Sequence, residues 1–229
     1  MIHLLRAPLQ IWATVVASLP GPSGDRLRYR FWSRRLAYLG ARVRIGEGAF
    51  FQNPAHIRIE DDAWIDRNVL ILAGPPRGDR ITRIKPNEPC PVALGEVTIG
   101  SATHIAPNCV LSGMGGLAIG KNCGIASNSS VYSFSHHYRN LVDASDPAQY
   151  SFTPRARNDQ QAMLASPVVI GDYCAVGLNS VLLPGTRLER GTWVASGTVV
   201  RGSWGPQATV FTGPGGLESK SLTGLVIKE

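Results

Sequence analysis

Five histidines and four cysteines carry most of the base, nucleophile and metal-ligand chemistry open to this 229-residue chain. His136 and His137 stand together in VYSFSHHYRN (131–140), where a regular pattern gives way to an irregular stretch. An imidazole titrates near neutrality, so one held beside a hydroxyl or an amine can take its proton as a new bond forms. His3 lies in an N-terminal arm, and His56 and His104 read as exposed turn residues; all three are taken as structural or solvated. Cys90, Cys109, Cys123 and Cys174 form neither a CxxC pair nor a tight cluster. That spacing indicates no zinc knuckle and no disulfide framework, and a reducing compartment fits it best.

The elements that position these residues follow a period of six. Aliphatic or aromatic residues recur as Ile45, Phe51; Ile59, Ile65, Ile71; Ile99, Ile105, Leu111; Ile119, Ile125, Val131; and Ile170, Val176, Leu182, Leu188, Val194. Of the sixteen residues four places further on, fifteen are Gly, Ala, Ser, Thr, Cys or Val, where composition alone would give about seven. So short a repeat describes an all-β solenoid with three flat faces, each step supplying one short strand and one turn. Position one fills the interior, and position five sits where only a small side chain fits. Cys109, Cys123 and Cys174 occupy position five and read as core filler. Two stretches interrupt the coils: residues 73–96, rich in Pro, Gly and charge, and residues 138–166, with charged and amide side chains and two prolines. Insertions of this length in a compact solenoid are more often functional than idle.

A motif ending in Ile-Gly recurs at Val43–Gly46, Val97–Gly100, Leu117–Gly120 and Val168–Gly171. The fullest copy is PVVIGDYCAVGLNSVLLPGT (167–186), continuing to Val194–Val200. This stretch resembles the hexapeptide-repeat acyltransferases, in particular the galactoside and maltose O-acetyltransferases and the enzymes that acetylate surface polysaccharides. The resemblance covers roughly residues 41–213 and implies a left-handed parallel β-helix, a handedness that the period itself does not show. It also implies transfer of an acetyl group from acetyl-CoA, a co-substrate rather than a bound cofactor, to a saccharide hydroxyl. By the same resemblance His136 takes the place of the catalytic base, with His137 the alternative if the turn is rotated by one residue. Asp66, where relatives usually carry Asn, would contact acceptor and base or serve only as a turn carboxylate. Tyr138 and Arg139 would face the acceptor, and the two insertions would wall its site. The pantetheine arm would pass Gly177, Leu178, Ala195, Ser196 and Gly197, with the Leu178 N–H stabilising the oxyanion. Arg201 and Lys220 would meet the phosphates, although the usual closing G-x-P-A-[KR] is altered here to GPGGL (213–217). Because such sites use two subunits, a homotrimer is implied. N-acylation of an amino sugar is the alternative; a zinc protein like the γ-class carbonic anhydrases, using His104, His136 and His137, and a non-catalytic scaffold are more remote. Adjacent histidines on a turn point different ways, so no metal site is expected.

Charge is partitioned. Residues 1–44 hold eight arginines and one acid, Asp25, while residues 45–229 hold 15 Lys+Arg and 15 Asp+Glu. The neutral body argues against a nucleic-acid groove, and the basic arm favours an anionic surface. No run approaches 18 uninterrupted apolar residues. Helices are expected over Pro8–Leu19 and from about Asp25 to Leu39, making residues 1–40 an arm before a β-helix of 41–213 and a tail of 214–229. Pro8, Gln10 and Thr14 interrupt the first apolar stretch and weigh against a cleaved signal peptide. The arm is expected either to be dispensable for folding and to dock at an anionic membrane, or to cap the open first coil. Its setting would be cytoplasmic, with peripheral contact at the inner face of the cytoplasmic membrane under the first alternative.

Overall fold

The computed structural model describes residues 7–76, 81–83 and 89–221. His3, the rest of residues 1–6, parts of the first insertion and the end of the tail lie outside the described residues. Two helices, α1 (Ala7–Ser18) and α2 (Gly21–Ser33), precede seven coils in which the chain passes through three parallel sheets in fixed rotation. The first sheet runs from Tyr38–Leu39 through Ile57–Ile59, Val97–Ile99, Leu117–Ile119, Val168–Ile170 and Arg187–Leu188 to Ser203–Trp204. The second holds Arg44–Ile45, Trp64–Ile65, His104–Ile105, Gly124–Ile125, Ala175–Val176, Trp193–Val194 and Ala208–Gly213. The third holds Phe50–Gln52, Leu70–Leu72, Val110–Ser112, Ser130–Tyr132, Val181–Leu182 and Val199–Val200.

Register explains the period. Ile45 pairs with Ile65, Ile65 with Ile105, and Ile125 with Val176, so position-one side chains stack inside the coils and are fully buried. Position five does more than fit a narrow space. Its hydroxyl or thiol donates to a corner carbonyl of the next coil: Thr103 to Gly120 (2.7 Å), Ser129 to Gly177 (2.8 Å), Thr192 to Gly205 (2.9 Å) and Cys123 to Gly171 (3.1 Å). Position four turns each corner in the left-handed backbone region, which explains the run of Asn68, Asn108, Asn122, Asn128 and Asn179, all with φ near +60°.

The arm differs from expectation. Pro20 and Pro22 open α2 rather than only ending α1, because proline suits the first helical turn. The helix stops at Ser33, and Tyr38–Leu39 is already a strand, paired with Arg58 and Ile59. The boundary therefore lies before residue 38, not at 40. Val16, Phe31, Trp32 and Leu36 are buried in the same core as Ile45 and Phe51, with Trp32 edge-on to Phe51 at 4.6 Å. Along the second sheet, each position-two N–H donates to the position-one carbonyl of the following coil, as Gly46 does to Ile65 (2.7 Å). No coil precedes Ile45, and the Nε of buried Arg28 donates to its carbonyl instead, at 2.7 Å. Likewise the Gly48 N–H, which would bond an earlier coil, donates to the Ala17 carbonyl of α1 at 2.9 Å. Arg28 also binds the Leu19 carbonyl and Asp25. The arm thus imitates the missing coil, contacts that favour the cap over an arm dispensable for folding.

The insertions and tail are also re-drawn. The second insertion leaves the coils at Ser133, before residue 138: Phe134–His137 runs antiparallel to Ala162–Ala165, which pairs in parallel with Ile81–Arg83 of the first insertion. Gly216–Ser221, expected as tail, folds back antiparallel on Ala208–Gly213 in the second sheet.

Replacing Arg28 by alanine leaves the Ile45 and Leu19 carbonyls without their donor and Asp25 with Arg44 as its remaining partner, and unfolding free energy is expected to fall by about 2–4 kcal/mol. Deleting residues 1–40 costs more. Denaturant titration followed by tryptophan fluorescence checks both, and unchanged midpoints would refute the cap. Burial pushes the thiols of Cys109 and Cys123 up to about 11 and that of Cys174 to about 12, whereas Cys90 is only half-buried. A thiol reagent at pH 8 is therefore expected to label one cysteine per native chain, and the other three only after unfolding.

Candidate active site

His136 lies on the short strand that leaves the fourth coil, opposite Met163 of Ala162–Ala165. Its Nε2 is 3.2 Å from Oε1 of Gln161, a buried residue. The Gln161 Nε2 donates to the Ala156 carbonyl, which fixes the amide with its oxygen toward the histidine. Oε1 can only accept, so the neutral ring carries its proton on Nε2 and its lone pair on Nδ1. The Phe134 ring packs edge-on at 6.0 Å and limits rotation. His137 differs. Its Nδ1 is 3.1 Å from both the N–H and the carbonyl of Arg139, and since an amide N–H can only donate, the Nδ1 lone pair faces it. His137 spends its basic atom on its own turn, whereas among the described residues nothing engages Nδ1 of His136.

The residues after the pair build the loop. Tyr138 is exposed, stacks on His137 at 4.9 Å, and carries the Arg139 guanidinium 5.3 Å over its ring. Asn140 is buried and braces the turn by accepting from Val142 and Asp143 and donating to Asp146. Arg139 borders a cavity of about 440 Å³ between Leu141 and Gln149.

A second feature lies on the outer face of the second sheet. Register stacks Arg44, Trp64, His104, Gly124, Ala175 and Trp193 in one row. Gly124 and Ala175 leave a gap, His104 and Trp193 stand as its two walls, and Gly177 and Leu178 continue its floor, enclosing about 440 Å³. A Cβ on Gly124 would meet nothing within 4 Å, so this glycine keeps space open rather than relieving strain. At Gly177 a Cβ would stand 2.5 Å from the Ser196 nitrogen, so glycine there lets two coils approach. The Leu178 carbonyl accepts from Gly197 at 2.8 Å, while its side chain is exposed. Ala195, Ser196 and Gly197 form the corresponding corner of the next coil, with Ala195 bonded to Val210.

One expectation changes here. His104 is not a turn residue: position six falls on the strand and points outward, so its ring stacks on Trp64 at 4.6 Å, with Nε2 3.4 Å from Asp66. Within one chain Asp66 faces His104 and the N–H of its neighbour Arg67 and stands apart from His136. The reason is geometric. Asp66 follows the second sheet and His136 follows the third, so one whole face of the solenoid lies between them. The same face separates His104 from His136 and His137, and among the described residues no three His, Cys, Asp or Glu side chains gather as a metal requires. Arg201 and Lys220 are both exposed at the far end, Lys220 on the second sheet opposite Thr209 and Arg201 just past Val200 of the third. They do not meet within one chain's groove. The outward row Trp64–His104–Gly124–Ala175–Trp193 was missed in sequence, although reading position six in each coil finds it.

Residues 167–201 match the family described as hexapeptide repeat of succinyl-transferase. No curated protein matches the chain in sequence. Among solved structures it is similar to AntD, an N-acyltransferase from Bacillus cereus in complex with dTDP and coenzyme A. The TM-score is 0.64 at 20% identity, covering 84% of this chain and 87% of that one. It is also similar to a maltose O-acetyltransferase from Clostridium difficile 630, with TM-score 0.52, 13% identity and 91% and 81% coverage. A hexapeptide-repeat containing acetyltransferase from Vibrio cholerae O1 biovar eltor, complexed with acetyl coenzyme A, gives TM-score 0.52, 18% identity and 92% and 83% coverage. At these identities the shared property is the fold.

Proposed function

We propose that this protein is a left-handed β-helix acyltransferase that moves an acetyl group from acetyl-CoA to a saccharide hydroxyl, with His136 as general base. The observation that carries the reading is the His136–Gln161 pair, which holds the ring and leaves the Nδ1 lone pair unengaged. In the reaction Nδ1 takes the hydroxyl proton as the sugar oxygen attacks the thioester carbonyl, giving a tetrahedral oxyanion. Collapse breaks the C–S bond, and the imidazolium returns the proton to the leaving thiolate. The Leu178 N–H, at an exposed corner, is the oxyanion donor. The pantetheine chain fits the groove between His104 and Trp193, an apolar slot open at Gly124.

Within one chain, Leu178 and His136 lie at opposite corners of the third sheet, so the site closes only when another copy supplies one of them. The third sheet is suited to that contact. Its outward row is Phe50, Leu70, Val110, Ser130, Val181 and Val199, apolar apart from Ser130, whereas the first sheet mixes Arg58, Thr98 and Arg187 with Tyr38, Ala118 and Val169. A homotrimer is the assembly proposed, its sites shared between neighbours. A second reading, acylation of an amino sugar, is supported by the higher TM-score to AntD, one structure of which holds dTDP-4-amino-4,6-dideoxyglucose. Thiol release from acetyl-CoA against matched hydroxy and amino sugars, free and nucleotide-linked, separates the two.

His136→Ala is expected to lower kcat by at least about 100-fold, with KM for acetyl-CoA nearly unchanged and His137→Ala much milder. The reverse order would make His137 the base. Sedimentation equilibrium is expected to return three chain masses, and a fully active monomer would remove the shared site.

A further inference from the structure

The capping helices have an outer face that neither the fold nor acyl transfer uses. Seven of the eight arginines before Ile45 are described, and four are engaged internally. Arg28 is buried on Asp25 and two carbonyls, and Arg42 forms a bidentate pair with Asp62. Arg44 binds Asp25 and lies over Trp64, while Arg35 donates to the Phe31 carbonyl and covers its ring. The three that remain, Arg26 and Arg30 of α2 and Arg34 at its C-cap, are exposed and spaced four apart. Among the described residues none has an acidic partner. Apolar side chains flank them: Trp12 and Val15 of α1 and Leu27 of α2 are 53%, 44% and 40% exposed. Leu27 and Arg30 form the ridge between two clefts, one of about 700 Å³ toward Arg26 and Arg42 and one of about 360 Å³ toward Trp12 and Arg34. The α1 segment APLQIWATVVAS contains no charged residue.

We propose that this outer face docks the enzyme on an anionic lipid bilayer, with Arg26, Arg30 and Arg34 at the phosphates and Trp12, Val15 and Leu27 in the headgroup–acyl boundary. Charge complementarity selects an anionic partner, and the apolar side chains between the guanidiniums favour a lipid surface, where acyl chains lie directly beneath the phosphates and can take up Trp12, Val15 and Leu27 together. Capping and docking are compatible because they use opposite faces: Phe31, Trp32 and Arg28 point into the core, while Arg26, Leu27 and Arg30 point away. The docking does not depend on which acceptor is acylated.

Co-sedimentation of the full chain with phosphatidylcholine vesicles, alone or mixed with phosphatidylglycerol, tests it. Binding is expected to the mixed vesicles and not to the neutral ones, and to weaken sharply as salt rises toward 1 M. Replacing Arg26, Arg30 and Arg34 together by glutamate is expected to lower vesicle affinity by at least about tenfold. Trp12→Ser is expected to lower it separately, and melting curves of both variants should match the parent. No binding to anionic vesicles, equal binding to neutral ones, or full binding by the glutamate variant overturns the proposal. Binding to heparin and vesicles alike, indifferent to Trp12→Ser, would show a general polyanion site and overturns it too.

Discussion

Everything in this molecule rests on one requirement: each coil must satisfy its backbone groups on the coils above and below. Only short strands with tight corners stack this way, and the corner chemistry follows. A position-one side chain fills the interior, a position-four residue adopts the left-handed turn, and a position-five hydroxyl or thiol ties its corner to a carbonyl of the next coil. The donor side chains are buried, and a hydrocarbon of equal size at Thr103 or Ser129 would leave the Gly120 or Gly177 carbonyl without that donor. Small size and a donating group are required together at these places, which is why serine, threonine and cysteine predominate there over alanine in the later coils.

With the interior fixed, only outward positions and insertions are free to serve chemistry. The second sheet spends its outward row on a slot between His104 and Trp193, the third on an apolar surface, and the first on a mixed row that includes Arg58 and Arg187. His136 escapes the regular coils altogether. It sits on a strand added beside them, where a buried glutamine sets the tautomer of its ring. The Ile81–Arg83 strand of the other insertion pairs with the same Ala162–Ala165 strand, so both insertions bear on the position of this imidazole.

The period of six and the small fifth position were legible because interior side chains answer to local geometry repeated many times. The asparagines at position four went unread, although they carry their own physical signal, left-handed backbone. The arm was read less well. Phe31, Trp32, Leu36 and Leu39 have helical spacing, yet Leu39 belongs to a strand, because pairing with Ile59 in the next coil outweighs local preference. The contact of Asp66 with His104 had no signal in the sequence either, since it joins residues of successive coils. The union of the two insertions had no local signature, since it joins strands some eighty residues apart in sequence.

The ends of the second sheet show how the solenoid avoids becoming a fibre. A parallel stack offers the same ladder of donors and acceptors at each terminus, and another copy could in principle continue it without limit. Here Arg28 and Ala17 already occupy the bonding groups of the first coil, and at the other end Gly216–Ser221 reverses direction, so the edge it presents is antiparallel. Neither end of that sheet matches the other. A second copy therefore finds no matching ladder at either end of that sheet, and end-to-end growth through it is blocked.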